Sequence, residues 1–135
     1  NGLAVDATMD ISFRIPPGES VETVTQRVER ETETGTIEWS DGIEPVMKSP
    51  RTPVARAFRV AIREAGGEPS LLRKTGTSDM NVFAEAWDCP MVTYGPGDAA
   101  LDHAPNEHIV LSAFDRAVGV LTDATAQLIA NNESG

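Results

Sequence analysis

The chain has 135 residues, of which 40% are hydrophobic, enough for one domain with a hydrophobic core. Its 21 acidic and 11 basic residues give a net charge of −10, which argues against nucleic acid or an anionic membrane surface as a partner. No apolar run approaches the roughly 20 residues of a membrane-spanning helix. We expect a cytoplasmic protein, and an acidic, lysine-poor surface also suits work in high salt.

The chain opens at Asn1 instead of methionine, and we expect either a processed protein or part of a longer one. Cys89 is its single cysteine, so the chain cannot form an internal disulfide. Because Cys89 lies in an apolar run beside a proline, we predict a buried, inert thiol in a reducing compartment.

The first third of the chain predicts a strand, a helix and a second strand. Residues 5–15 alternate strictly between apolar and polar side chains, which is typical of a half-buried strand. Ser20 is suited to cap a helix that extends to about Glu33. A short strand over residues 36–40 follows. Such a unit leaves an open sheet with little core of its own.

The middle of the chain predicts a helix and a short strand. Thr52 and Pro53 are favourable N-cap and first-turn residues for a helix that ends near Ala65. Leu71 and Leu72 then indicate a strand. The apolar stripe of the predicted helix consists of Val54, Phe58, Ala61, Ile62 and Ala65.

The last part of the chain predicts two helices on either side of a buried strand. Ser78 is suited to cap the first helix, which continues through residue 87, and the apolar run 89–94 indicates the strand. Ser112, with Asp115 three residues later, predicts the start of a long final helix. Helices that alternate with apolar strands predict an α/β layered fold. The expected core stripe of the final helix is Phe114, Ala117, Val118, Leu121, Ala124, Leu128 and Ile129.

The loop of residues 95–107 is the first candidate site, because α/β proteins place ligand sites in loops that follow buried strands. His103 lies there with Asp102 and Glu107, and neutral imidazole is a common zinc ligand. Pro105 interrupts any helix that would bring His103 and His108 to one metal. On residue types alone, a loop histidine with ordinary hydrogen bonds is the favoured alternative.

The segment KTGTSDM, residues 74–80, is the second candidate site. A glycine between threonines before a helix presents N–H groups and hydroxyls to an anion or an oxyanion. The alternative is that Thr77 and Ser78 only cap the helix. Arg14, at the end of the first predicted strand, is by default a solvated edge residue.

Four ordered motifs, ISFRIPPG, GTSDM, YGPGD and DHAPNEH, together resemble one family of enzymes. This is the zinc-dependent amidohydrolase family that includes acetylornithine deacetylase, succinyl-diaminopimelate desuccinylase, aminoacylase and carboxypeptidase G. The combination of KTGTSDMN with YGPGDAALDHAPNEHI most closely resembles the branch that releases lysine or ornithine from the carrier protein LysW.

The resemblance implies a fold and a domain division. Residues 47–135 would be the C-terminal part of a zinc-aminopeptidase-like, three-layer α/β/α catalytic domain. Residues 1–46 would be the second half of an α+β lid domain, through which the parent enzyme forms a homodimer.

The resemblance also implies roles for individual residues. His103, in the pattern H-x-x-x-E with Glu107, would be the last zinc ligand, and Glu107 would support it from outside the metal shell. Arg14 would grip the substrate carboxylate, a task suited to its two-pronged guanidinium. Asn1 would reach the active site of the partner subunit. The residues expected to line the substrate pocket are Gly76, Thr77 and Ser78.

In the family, the remaining metal ligands and the general base lie upstream of these motifs. Two metal ions, zinc or also cobalt, polarise the amide carbonyl and supply hydroxide, while a carboxylate carries the proton to the leaving amine. We therefore expect no catalytic residue in this chain and no activity from it alone. Within the enzyme class, an N-acyl-amino-acid deacetylase or a carboxypeptidase is the alternative. Outside it, the alternative is a noncatalytic module that binds a small anion or dimerises.

Overall fold

The computed structural model describes residues 2, 6–74 and 76–133. Asn1 and Val5, on which two of the predictions fall, lie outside the described residues. No helix in the described ranges is long and apolar enough to cross a membrane. The described elements are the helices α1 (Val21–Glu31), α2 (Pro53–Glu64), α3 (Asp79–Ala86) and α4 (Leu111–Glu133), with a 3₁₀ helix over Ala99–Leu101.

Three of the four helices begin where their capping residues predict. Ser20 Oγ accepts a hydrogen bond from the Thr23 N–H at the start of α1. Thr52 Oγ1 does the same for the Ala55 N–H at the start of α2, and Pro53 follows it. Helix α3 begins after Ser78, in a capping box. Helix α1 ends at Glu31, two residues before the predicted end.

Helix α4 begins at Leu111, two residues earlier than a cap at Ser112 would allow, so the predicted long helix is confirmed but Ser112 does not cap it. The carbonyl of Val110 accepts from the N–H groups of Ala113 and Phe114, at 2.9 and 3.0 Å, which identifies Val110 as the residue that precedes the helix. Ser112 therefore lies inside the first turn.

The core of the described structure lies between α2 and α4. Its buried residues are small apart from Val120, which is 1% exposed, and small side chains let the two helix axes approach closely. The Phe58 ring packs against the Tyr94 ring at a centroid distance of 5.2 Å and covers one end of this contact. The buried cluster consists of Ala57, Ala61, Val120 and Ala124.

The predicted core stripe of α4 is only half correct. Ala117 and Ala124 are buried and Leu128 is partly buried, but the rest of the predicted stripe faces outward. Val120, which was not predicted, completes the buried face instead. A 23-residue helix with apolar residues on two faces can bury only one of them against a single partner helix, here α2. The outward stripe consists of Leu111, Phe114, Val118, Leu121 and Ile129.

The structure does not show the predicted strands within its described ranges. Segments 6–15, 36–40, 71–72 and 89–94 form no ladder, so the α/β layering is not seen. A strand is held by hydrogen bonds to a neighbouring strand, and the described residues supply none. The apolar side of 6–15 consequently faces outward, with Met9 77% exposed.

Cys89 is exposed, so the prediction of a buried thiol is wrong. The prediction assumed that the apolar run 89–94 is buried as a strand. This segment has no strand partner among the described residues and is only partly covered, so Cys89 stays accessible.

Candidate functional site

The loop of residues 95–107, which contains His103, consists of a series of tight turns. Asp98 Oδ1 accepts from the Ala100 N–H at 2.9 Å and thereby caps the 3₁₀ helix. The Ala104 N–H donates to the Leu101 carbonyl, and the Glu107 N–H donates to the Ala104 carbonyl, both at 3.0 Å. The segment between the YGPGD and DHAPNEH motifs is therefore internally hydrogen-bonded.

His103 is exposed and has a left-handed backbone, with φ at +63°. Non-glycine residues adopt this region infrequently, although histidine, asparagine and aspartate tolerate it better than most. Glu107 Oε2 accepts a hydrogen bond from the backbone N–H of His103 at 3.1 Å. Glu107 thus holds the backbone of His103 in its turn.

His108 differs from His103 in the use of its ring. Its Nδ1 lies 2.7 Å from the carbonyl oxygen of Asn106, so a hydrogen bond within the loop orients this imidazole. No group of three or more potential ligands among the described residues is arranged to hold a metal. Neutral imidazole is a common zinc ligand, and the exposed ring of His103 has the donor chemistry of one such ligand.

An ion pair joins the two candidate loops. Lys74 Nζ and Asp102 Oδ2 lie 3.0 Å apart, although the residues are 28 positions apart in the sequence. Asp102 immediately precedes His103, and Lys74 begins the KTGTSDM segment. No sequence pattern predicted this pair, and the one available signal was that Lys74 is among only two lysines in the chain.

The structure also brings Arg14 to the KTGTSDM segment. A Cβ atom placed on Gly76 would lie 3.7 Å from Arg14 Nη1, so the guanidinium passes close over the glycine backbone. Ser78 is half-buried at the start of α3, and Thr77 is exposed. Arg14 therefore lies against Gly76, two residues before Ser78 in the sequence, and Lys74 of the same segment contacts the His103 loop through Asp102.

An apolar groove of about 480 Å³ lies between α2, α3 and segment 89–94. Phe83 and Trp87 stack in its wall, with ring centroids 4.9 Å apart. Ser78 and Asp79 are among its lining residues. The KTGTSDM segment thus has an apolar surface beside it, on the side of α3.

A family model for Peptidase family M20/M25/M40 matches residues 2–127, which is nearly the whole chain. The chain belongs to this family. The resemblance read from the four motifs is thereby confirmed.

Individual relatives are more specific. The chain is 44% identical over 131 residues to the [LysW]-lysine hydrolase of Deinococcus radiodurans, a match that covers 96% of this chain and 36% of the relative. It is 46% identical over 78 residues to a putative [LysW]-lysine/[LysW]-ornithine hydrolase of Thermococcus kodakarensis, covering 58% and 23%. A [LysW]-lysine/[LysW]-ornithine hydrolase of Sulfurisphaera tokodaii is 32% identical over 120 residues, covering 89% and 34%. The chain therefore spans about a third or less of the length of these curated relatives.

Proposed function

We propose that this chain is the C-terminal part of a metal-dependent amidohydrolase that releases lysine or ornithine from the carrier protein LysW, or from an N-acetyl form, in amino-acid biosynthesis. The observation that carries the proposal is the 44% identity to a [LysW]-lysine hydrolase over 96% of the chain. The family match over residues 2–127 supports the amide-hydrolysing class. The parent enzyme works in the cytoplasm as a homodimer.

In this proposal His103 completes a zinc centre whose other ligands lie in the rest of the parent. Zinc, when bound, polarises the amide carbonyl and lowers the pKa of a bound water. The left-handed turn and the bond from the His103 N–H to Glu107 support this role, because together they fix the direction in which the imidazole leaves the backbone. This chain supplies the ligand and no general base.

Arg14 binds the carboxylate of the released amino acid. Its position against Gly76 supports this role, because a substrate held there meets the N–H groups and hydroxyls of Gly76, Thr77 and Ser78. Asn1 reaches the partner subunit's site in the dimer.

The proposed domain division follows the family. Residues 1–46 form half of a lid and dimerisation domain, and 47–135 form part of a three-layer α/β/α catalytic domain. The extended segments support this division, since 6–15 and 89–94 have the alternating or apolar patterns of strands that need partners from the rest of the parent.

The test uses the full-length protein with the substitution His103→Asn. Asparagine tolerates the left-handed backbone, so the change removes the imidazole without imposing the strain of alanine. The matched control is His108→Asn in the same loop. We measure bound zinc, and hydrolysis of LysW-linked lysine, N-acetyl-lysine and N-acetyl-ornithine.

We expect His103→Asn to lose at least one metal equivalent and nearly all turnover, while His108→Asn keeps both. The preferred substrate then distinguishes a LysW hydrolase from a simple N-acyl-amino-acid deacetylase. Full metal content and unchanged turnover in His103→Asn would refute the metal role.

A further inference from the structure

A hydrogen-bonded linkage connects the start of α1 to the start of α3. At its first end, both carboxylate oxygens of Glu44 accept from the backbone N–H of Val21, at 3.1 and 3.3 Å. This N–H belongs to the first turn of α1, where the helix itself supplies no acceptor. A carboxylate there is also favoured by the helix dipole.

At its second end, the linkage runs through the side chain of Asn81. Asn81 Nδ2 donates to the backbone carbonyl of Glu44 at 3.0 Å, and Asn81 Oδ1 accepts from the Ser78 N–H at 3.1 Å. The carbonyl can only accept and the N–H can only donate, so the two partners fix the orientation of the amide. One residue, Asn81, thus caps α3 and holds the segment around Glu44.

The two ends of this linkage carry the residues that the proposed function assigns to substrate. Arg14 lies just before the turn that leads into α1, in which the Glu19 N–H donates to the Pro16 carbonyl at 3.2 Å. Ser78 closes the segment that contains Gly76. Two contacts therefore join the segment that contains Arg14 to the segment 76–78. One is this linkage, and the other is the approach of the Arg14 guanidinium to Gly76.

We propose that Glu44 and Asn81 are positioning residues that set the place of Arg14 relative to the segment 76–78 and thereby the affinity for the substrate carboxylate. This inference rests on the proposed function. Neither side chain touches the reacting atoms, so both act through Arg14 and Ser78. Loss of the linkage lets the Arg14 segment shift, which weakens substrate binding more than it slows the chemical step.

The test is the substitution Asn81→Asp in the full-length, zinc-loaded protein. Aspartate still accepts from the Ser78 N–H, so the cap of α3 is kept, but it cannot donate to the Glu44 carbonyl. Glu44→Ala removes the other end, and Glu44→Gln is the conservative control that keeps an acceptor for Val21. The readouts are KM and kcat for LysW-linked lysine, bound zinc, and hydrogen exchange of peptides that cover 39–46 and α3.

We expect Asn81→Asp and Glu44→Ala to raise KM roughly threefold to tenfold, the effect of losing about one hydrogen bond, with kcat and zinc content within about twofold of wild type. Glu44→Gln should restore most of the affinity. Exchange in Asn81→Asp should rise in 39–46 and stay unchanged in α3.

Two results would overturn the inference. One is unchanged KM and unchanged exchange in Asn81→Asp. The other is a loss of protection in α3 that accompanies the rise in KM, because Asn81 would then act only as a helix cap. A wild-type protein that hydrolyses no amide refutes the proposed function instead, and the exchange of 39–46 still decides whether the linkage exists.

Discussion

Val120 provides the strongest test of the packing between α2 and α4. Its side chain is 1% exposed, and Val120→Ala removes two methyl groups from the centre of this contact. At roughly 0.8 kcal/mol for each buried carbon, the lost transfer free energy is about 1.6 kcal/mol. The cavity left behind brings the expected loss of unfolding free energy to about 2 kcal/mol. Urea unfolding of the 135-residue chain, followed by far-ultraviolet circular dichroism, measures this change.

The matched control is Val118→Ala, the same chemical change on the opposite side of the same helix. Val118 is 49% exposed, so we expect a loss below about 0.5 kcal/mol. Equal losses at the two positions would refute the orientation of α4. The same pair in the full-length protein then reports whether other parts of the parent cover the outward stripe, because Val118→Ala becomes costly only if they do.

Two further predictions concern the candidate site. In the full-length protein, Lys74→Asp and Asp102→Lys should each lower kcat/KM for LysW-linked lysine by about twofold to fivefold, since an exposed pair contributes only about 0.2–1 kcal/mol. The double variant restores the pair in reverse and should recover most of this loss. A double variant whose loss equals the two single losses combined contradicts the pairing. In the same protein, Gly76→Val should raise KM for LysW-linked lysine at least tenfold in steady-state kinetics. The reason is that branches on a Cβ that already lies 3.7 Å from Arg14 Nη1 displace the guanidinium. Gly76→Ala should keep a KM close to that of wild type.

Local chemistry made the helices predictable. Ser20, Thr52 and Ser78 each lie at the first residue before a helix. The Ser20 and Thr52 side chains accept from N–H groups that the helix leaves unpaired, and at Ser78 the Asn81 side chain accepts from the Ser78 N–H. Ser112 misled the prediction because capping residues also occur inside the first turn. The strand patterns indicate which side chains seek burial, but pairing depends on neighbours that are distant in sequence.

For the candidate site, too, the sequence predicts single residues but not the contacts between residues that are far apart in the chain. The motifs singled out His103, Arg14 and Gly76 one at a time, and the family resemblance implied a role for each. Their mutual placement depends on contacts between residues far apart in the chain. No periodicity or spacing in the sequence reveals such contacts, because the partners are too far apart. Lys74 and Asp102 are 28 residues apart, and Glu44 and Asn81 are 37 residues apart.

The outward stripe of α4 also determines how this chain behaves in solution at different ionic strengths. Five large apolar side chains along one helix form an exposed hydrophobic patch that favours association between molecules. A net charge of −10 opposes this association by electrostatic repulsion. Salt shortens the range of that repulsion to about 10 Å at 0.1 M and about 3 Å at 1 M, and it leaves the apolar attraction in place. Light scattering should therefore show self-association of the chain that grows as salt is added, the reverse of the trend for proteins held together by ion pairs.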